Sequence, residues 1–154
     1  MAPTLFSKHL PDEAATAAFA TQVAPLLSAG DVLLLEGEIG AGKSAFARAL
    51  IRARLGRMED VPSPTFTLVQ IYEAPDGDIW HCDLYRLTHP DEALELGLEE
   101  AFETAICLIE WPDRLGAVAP SNALHLAFSA LKDAHQITVS GSDHWAAKLR
   151  NLHV

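Results

Sequence analysis

A glycine-rich segment constrains the fold of this chain more than any other feature. Residues 37–44 read Gly-Glu-Ile-Gly-Ala-Gly-Lys-Ser, which fits the pattern G-x-x-x-x-G-K-[ST], whose backbone N–H groups cradle phosphates. The apolar run at residues 31–36 predicts a buried strand before it, and apolar residues recur at helical spacing after it, at Ala45, Phe46, Ala49, Leu50 and Ala53. Strand, loop and helix in that order are what this loop requires. We therefore predict a nucleotide site.

The residue types in the loop suit an anion. Glycines allow a tight turn that points backbone N–H groups inward, and we expect phosphate to be bound along Glu38, Ile39, Gly40, Ala41 and Gly42. Lys43 adds a full positive charge, and the helix N-terminus adds a partial one. The hydroxyl of Ser44 is suited to ligate Mg²⁺. A turn that only caps a helix would explain the glycines but not the Lys-Ser pair.

Two acidic residues end apolar runs elsewhere in the chain. Residues 106–110 predict a strand that ends in Glu110, the form of a Walker B element, whose acid holds Mg²⁺. Asp83 ends another apolar run and competes for the same role. Because open α/β sheets bind ligands at the carboxyl ends of their strands, we expect both acids to face one nucleotide. One acid serves the metal and the other the attacking water; we place Glu110 with Ser44 in the metal set and leave the division open.

A proline-bracketed loop, residues 62–66, contains a further candidate. Thr65 suits a switch loop, in which a threonine senses Mg²⁺ and the γ-phosphate. A rigid connector, with Thr65 at the start of a strand, fits the same spacing equally well. His81 lies near the predicted chemistry and is interpreted as structural.

Length and composition favour one globular domain over residues 1–154. The chain is 49% hydrophobic and 21% charged, and no apolar run approaches the roughly 18 residues that span a bilayer. We see no signal-peptide pattern, and Cys82 and Cys107 lie in apolar runs typical of reduced buried thiols. We expect a cytoplasmic protein without membrane contacts. The net charge of −10 argues against a broad basic surface for nucleic acid, so we expect any role with RNA to pass through a partner.

The predicted elements alternate. The fold class is α/β and P-loop NTPase-like, with a mixed, mostly parallel sheet flanked by helices. Residues 65–72 and 79–85 form an antiparallel hairpin around an Asp-Gly turn. The remaining strands are predicted at 4–7, 31–36, 105–110, 123–128 and 136–140, and helices at about 11–30, 43–55, 90–96, 98–104 and 142–152.

Four segments in their order resemble the bacterial tRNA threonylcarbamoyladenosine biosynthesis ATPase family, TsaE. They are residues 37–44, 63–69, 81–87 and 108–114. The resemblance implies a small ATPase that uses ATP and Mg²⁺ and joins a partner heterodimer that modifies the adenosine next to the anticodon of tRNA. It implies a functional set of Lys43, Ser44, Thr65, Asp83 and Glu110, with Trp111 beside the nucleotide. Ser44 stands where the family usually has Thr, and Cys82 where a larger apolar residue is expected.

Three other functions fit part of the pattern. A small-molecule kinase shares the phosphate loop but needs an arginine-bearing lid, for which little chain remains after Glu110. A GTPase is suggested by Asp-Arg-Leu-Gly at residues 113–116, yet no Asn-Lys-x-Asp motif follows. In a nucleotide-gated binding module, ATP would order the switch loop for assembly and hydrolysis would only reset it.

Overall fold

A computed structural model of the chain describes residues 3–38, 40–62, 64 and 67–152. The described strands are β1 (Thr4–Leu10), β2 (Val32–Glu36), β3 (Val69–Ala74), β4 (Gly77–Asp83), β5 (Ile106–Glu110), β6 (Leu124–Leu131) and β7 (Ala134–Ser140). The α-helices are α1 (Glu13–Val23), α2 (Lys43–Leu55), α3 (Asp91–Glu95), α4 (Leu98–Thr104) and α5 (Asp143–Lys148). No helix in these ranges combines the length and apolar character needed to cross a membrane.

The strands form one sheet in the order β1-β7-β6-β2-β5-β4-β3. Strands β4, β5, β2 and β6 are parallel neighbours, whereas β3 pairs antiparallel with β4, and β7 pairs antiparallel with both β6 and β1. Five strands therefore run in one direction and two in the other. This confirms the predicted α/β class with a mixed, mostly parallel sheet and an antiparallel hairpin, and it adds a second hairpin, β6–β7.

Both faces of the central strands are covered. Along β2, Leu33 and Leu35 belong to one apolar cluster with α1 and α2, while Val32 and Leu34 belong to another with α4. Successive side chains of a strand point to opposite faces, so a strand buried on both sides is a continuous apolar run. That is why residues 32–35 show no alternation in the sequence.

Aromatic contacts fix helix α2 against the sheet. The ring of Phe46, in the first turns of α2, lies 6.0 Å from that of Phe19 on α1 and 5.6 Å from that of Phe128 on β6. Phe46 is fully buried. Such edge and tilted pairs stabilise the packing beyond the area that they bury. The helix that follows the glycine loop is therefore held from both sides.

Several element ends differ from the sequence prediction. The first helix ends at Val23 rather than near residue 30, because Pro25 lacks a backbone N–H and the chain continues as a 3₁₀ turn at Ala24–Leu26. The first hairpin strand begins at Val69, after Leu68 takes a positive φ of 68° that no strand residue adopts. Its partner ends at Asp83 rather than at residue 85.

Toward the C-terminus, three further differences appear. A 3₁₀ segment at Pro112–Val118 was not predicted. The strands of the second hairpin are longer than predicted, because their turn uses only two residues, with Asp133 at φ 65°. Helix α5 ends at Lys148 rather than near residue 152. Cys82 and Cys107 are buried free thiols, as predicted, and burial raises the pKa of Cys107 to about 12.

Candidate functional site

The glycine loop runs from the end of β2 to the start of α2 and lies against β6. Gly37 has φ 142°, and a Cβ there would lie 2.5 Å from the carbonyl oxygen of Phe128. Gly42 has φ 108° and occupies the N-cap of α2, which begins at Lys43. Both positions exclude residues with a Cβ. The loop thus follows a path that only glycine permits, and it ends at a helix N-terminus, where backbone N–H groups have no helical partner.

The parallel pairing of β2, β5 and β4 brings the two predicted acids together. Leu35 of β2 is in register with Glu110 of β5, and Glu110 is in register with Asp83 of β4. Side chains alternate along a strand, so Glu110 shares a face with Leu108, whose cluster includes residues of α2. Both acids therefore lie at the carboxyl edge of the sheet, beside the glycine loop.

Lys43 is buried among these groups, with 5% of its surface exposed. Its Nζ donates to the carbonyl of Gly37 at 2.5 Å and lies 3.7 Å from the centre of the Trp111 ring. Burial lowers the pKa of Lys43 from its ordinary value, although the charges of Glu110, Asp83 and Asp113 partly offset this effect. Removal from water makes charged Lys43 a stronger partner for an anion, since Coulomb attraction increases as the dielectric constant falls.

Ser44, Glu110 and His81 form a chain of hydrogen bonds beneath the loop. Ser44 Oγ donates to Glu110 Oε1 at 3.3 Å. The second oxygen of the same carboxylate, Oε2, lies 2.7 Å from His81 Nε2. The Glu110 and His81 side chains are 3% and 2% exposed. The two oxygens of one buried carboxylate thus have different partners.

Asp83 and Trp111 border the same space. Asp83 is buried, and its Oδ1 accepts from the backbone N–H of Tyr85 at 3.0 Å. Trp111 follows β5 with φ 61°, an uncommon backbone conformation for a residue with a Cβ. Its ring lies 4.8 Å from that of Tyr85. The indole lies over Lys43, so Trp111 covers the cation and Tyr85 packs against Trp111.

A cavity of about 500 Å³ joins these elements. A volume in this range accommodates a small-molecule ligand. Its lining comes from α1, the glycine loop, α2, the ends of β4 and β5, and β7: Glu13, Thr16, Gly40, Gly42, Lys43, Ser44, Ala45, Asp83, Tyr85, Glu110, Trp111 and His135. Gly40, Gly42, Lys43, Ser44, Asp83, Glu110 and Trp111 are residues that the sequence assigned to the site.

Two predicted residues, Glu38 and Ala41, do not line this cavity, and two others lie outside the described residues. Glu38 is exposed and borders a separate cavity of about 440 Å³. The side chain of Ala41 is buried in the core, and its backbone N–H donates to the Glu38 carbonyl at 3.1 Å. Ile39 and Thr65 lie outside the described residues, so their assignments to phosphate and to the switch loop stay predictions.

Sequence reasoning did not assign five residues that the fold brings to the site. Glu13 and Thr16 lie three residues apart on one face of α1, and His135 Nε2 lies 3.0 Å from the carbonyl oxygen of Gly40. No motif signals these contacts, because they depend on how α1 and the second hairpin pack. Tyr85 and His81 lie within the segment 81–87, whose proximity to Asp83 was the available signal.

The donor set fits a magnesium ion. Mg²⁺ prefers oxygen ligands and is bound through one or two carboxylates together with substrate phosphates. Ser44 Oγ and Glu110 Oε1 are two such oxygens, 3.3 Å apart at the cavity. Within the described ranges, no three His, Cys, Asp or Glu side chains gather as a metal cage. These residues therefore suit a Mg²⁺ ion that nucleotide phosphates also bind better than they suit a metal ion bound mainly by protein ligands.

Comparison with known proteins gives a consistent result. A family model described as "Threonylcarbamoyl adenosine biosynthesis protein TsaE" matches residues 10–138. A "tRNA threonylcarbamoyladenosine biosynthesis protein TsaE" from Rickettsia bellii is 40% identical over 124 residues, 80% of this chain and 86% of that protein. One of the same description from Bacillus subtilis is 37% identical over 125 residues, 80% and 77% of the two chains. The crystal structure of Bacillus subtilis YdiB superposes with a TM-score of 0.80 at 28% identity, covering 99% of this chain and 95% of that one.

The lowered pKa of Lys43 predicts how stability changes with pH. Between that lowered value and 10.5, the folded chain has released the Lys43 proton and the unfolded chain still binds it, so stability rises with pH. We expect the free energy of unfolding of the wild type, minus that of Lys43→Met, to increase through this window with a slope of at most about 1.4 kcal/mol per pH unit. Urea denaturation of both proteins from pH 8 to 11 measures this difference. A difference that falls with pH would contradict the prediction.

Proposed function

The chain belongs to the TsaE family of threonylcarbamoyl adenosine biosynthesis proteins, and on that basis we propose that it binds and hydrolyses ATP with Mg²⁺ to support the modification of tRNA. One observation carries the proposal. Lys43, Ser44, Asp83 and Glu110 line a single cavity at the glycine loop. A cation, a hydroxyl and two carboxylates are the groups that phosphoryl transfer uses for positioning and charge stabilisation.

Phosphate binding is the role of the loop and Lys43. The N-terminus of α2 offers backbone N–H groups and a partial positive charge. Lys43 adds a full charge that is already removed from water, at 5% exposure. Lys43 Nζ contacts the Gly37 carbonyl and the Trp111 ring, and the acids Glu110, Asp83 and Asp113 act on it through their charges. A nucleotide phosphate would offer the same cation a full negative charge.

Metal binding falls to Ser44 and Glu110, and water orientation to Asp83. Bound Mg²⁺ neutralises charge on the phosphates. Glu110 suits the metal because its Oε1 already contacts the Ser44 hydroxyl. Asp83 lies across the register from Glu110, within the same cavity, where it can accept a proton from an attacking water. This division is the one that we propose for the two acids, whose roles the sequence left open.

The charge of the chain favours action through partner proteins over direct binding of tRNA. The chain has 21 acidic residues against 11 basic ones, a balance that does not favour direct binding of an RNA backbone. We propose that it acts with the threonylcarbamoyl-transferring heterodimer, which contacts the tRNA. A nucleotide-gated binding module, in which hydrolysis only resets the assembly, stays the alternative within this role.

A small-molecule kinase is less well supported. After Glu110, the described chain forms a 3₁₀ segment, two strands of the central sheet and α5. Trp145 of α5 is buried, and its indole N–H donates to the Asn122 carbonyl at 2.6 Å. These residues belong to the core rather than to a lid that closes over an acceptor.

The binding step is tested by Lys43→Ala. We expect this variant to lose measurable ATP affinity, because it removes the lysine charge from a site that must hold several negative charges. Titration calorimetry with a non-hydrolysable ATP analogue and Mg²⁺ measures the affinity. The matched control is Lys8→Ala, which removes the same charge from edge strand β1 and is expected to bind normally. Normal binding by Lys43→Ala would overturn the phosphate-loop assignment.

The catalytic roles are tested by Asp83→Asn and Glu110→Gln. We expect each to slow hydrolysis about 10²-fold or more, since a water-orienting acid and a metal ligand act mainly in the transition state. Glu110→Gln should also raise the Mg²⁺ concentration that hydrolysis requires, whereas Asp83→Asn should stay slow at saturating metal. Asp76→Asn, at the exposed turn of the first hairpin, controls for the loss of a carboxylate. Wild-type turnover by either site variant would refute its assignment.

Partner dependence is tested by measuring hydrolysis and modified tRNA together. We expect slow ATP hydrolysis by the chain alone and faster hydrolysis, with more modified tRNA, when the heterodimer is added. If ATP binding without hydrolysis supports a full first round of modification, the gated-module alternative is favoured. Equal hydrolysis with and without the heterodimer, together with phosphate transfer to a small metabolite, would favour a kinase.

A further inference from the structure

His81 makes the shortest contact to the carboxylate of Glu110. The two residues lie on neighbouring parallel strands, and His81 is in register with Leu108, two positions before Glu110. They therefore share one face of the sheet. Their side chains meet at 2.7 Å between Nε2 and Oε2, and both are almost fully buried.

The direction of this hydrogen bond follows from the chemistry of the two groups. An ionised carboxylate only accepts hydrogen bonds, so Nε2 of His81 is the donor. The other ring nitrogen, Nδ1, is buried and has no hydrogen-bond partner among the described residues. Burying a polar atom without a partner costs free energy, and an apolar residue would avoid that cost. Packing alone therefore does not account for a histidine at this position.

Glu110 makes two side-chain hydrogen bonds in the described structure, and the one with His81 is better suited to hold it than the one with Ser44. Ser44 Oγ reaches Oε1 at 3.3 Å, a long distance for a bond between two oxygens. The same hydroxyl is the group suited to bind Mg²⁺, and a hydroxyl oxygen that binds a metal is less able to hold Glu110 in place. Asp83 lies directly across from Glu110, and like charges on paired strands repel. Among the described contacts, His81 is the one that keeps the carboxylate in place.

We propose that His81 is a positioning residue that fixes the Glu110 carboxylate, holding Oε2 so that Oε1 stays directed at Ser44 Oγ, with which it would hold Mg²⁺. The inference rests on the proposed function, in which Glu110 serves the metal. Groups that orient a metal ligand in this way typically change metal affinity about 10–100-fold when they are removed. His81 therefore sets how strongly Mg²⁺ and nucleotide binding reinforce each other.

The test measures the coupling between metal and nucleotide. Calorimetry gives the dissociation constant of a non-hydrolysable ATP analogue in EDTA and in saturating Mg²⁺, and the ratio of the two constants is the coupling. For His81→Leu we expect the ratio to fall about 10–100-fold, while the constant in EDTA changes little. A purely structural role would weaken binding in both conditions alike and leave the ratio unchanged.

Two comparison variants show whether the length of the side chain at position 81 matters, or only its ability to donate a hydrogen bond. The amide nitrogen of Gln can occupy the place of His Nε2, whereas that of Asn is one methylene too short. We expect His81→Gln to recover most of the coupling and His81→Asn to resemble His81→Leu. This pair also decides the question if His81→Leu does not fold. Cys82→Ala, the next residue of β4 on the opposite face, controls for general loosening of the strand, and His89→Leu controls for the loss of an exposed histidine beside an acid.

The outcomes are distinct. Wild-type coupling in His81→Leu, or equal coupling in the Gln and Asn variants, would overturn the positioning role and leave the proposed function intact. If the wild type itself does not bind the analogue, or binds it equally with and without Mg²⁺, the proposed function fails in its nucleotide or its metal step, and the positioning role fails with it.

Discussion

The parallel pairing of β2, β5 and β4 determines which side chains lie together at the candidate site. Each strand ends in a group to which the proposed function assigns a chemical role: β2 leads into the glycine loop, β5 ends in Glu110 and β4 ends in Asp83. Because parallel strands end at the same edge, the register Leu35–Glu110–Asp83 sets these groups side by side. The helices on the two faces bury the apolar residues of the strands and keep this register fixed. A slip of β5 by one residue would turn Glu110 to the opposite face of the sheet.

Burial strengthens the electrostatic interactions of the charged side chains at this site. Lys43 and Glu110 are both nearly inaccessible to water, and each has hydrogen-bond partners within the protein. Lys43 donates to a backbone carbonyl and faces an indole, while Glu110 shares its oxygens between Ser44 and His81. A dry, prearranged set of charges interacts more strongly with a ligand than the same groups in water do.

The sequence predicted what local patterns encode. The glycine loop, β5 with its terminal Glu110, and the break between α3 and α4 at Gly97 follow from residue type and spacing, and the structure has all three elements. The His81–Glu110 bond could not be predicted, because it depends on the register of two strands more than 20 residues apart in the chain. The approach of His135 to Gly40 likewise depends on packing of the second hairpin. Long-range pairing decides such contacts, and a single sequence carries no local signal for them.

The order of the strands in the sheet has a consequence for how the protein is made. Strand β2 ends at Glu36, but its two neighbours in the sheet are β5 and β6, which end at Glu110 and Leu131. Gly37 rests against Phe128. During synthesis, the ribosome therefore releases the glycine loop long before it releases the strands that support the loop. Contacts so distant in sequence form late, since the intervening chain must first close into a loop. A nascent chain shorter than about 131 residues lacks β6 or part of it, so we expect the glycine loop to be unsupported until that strand has been released.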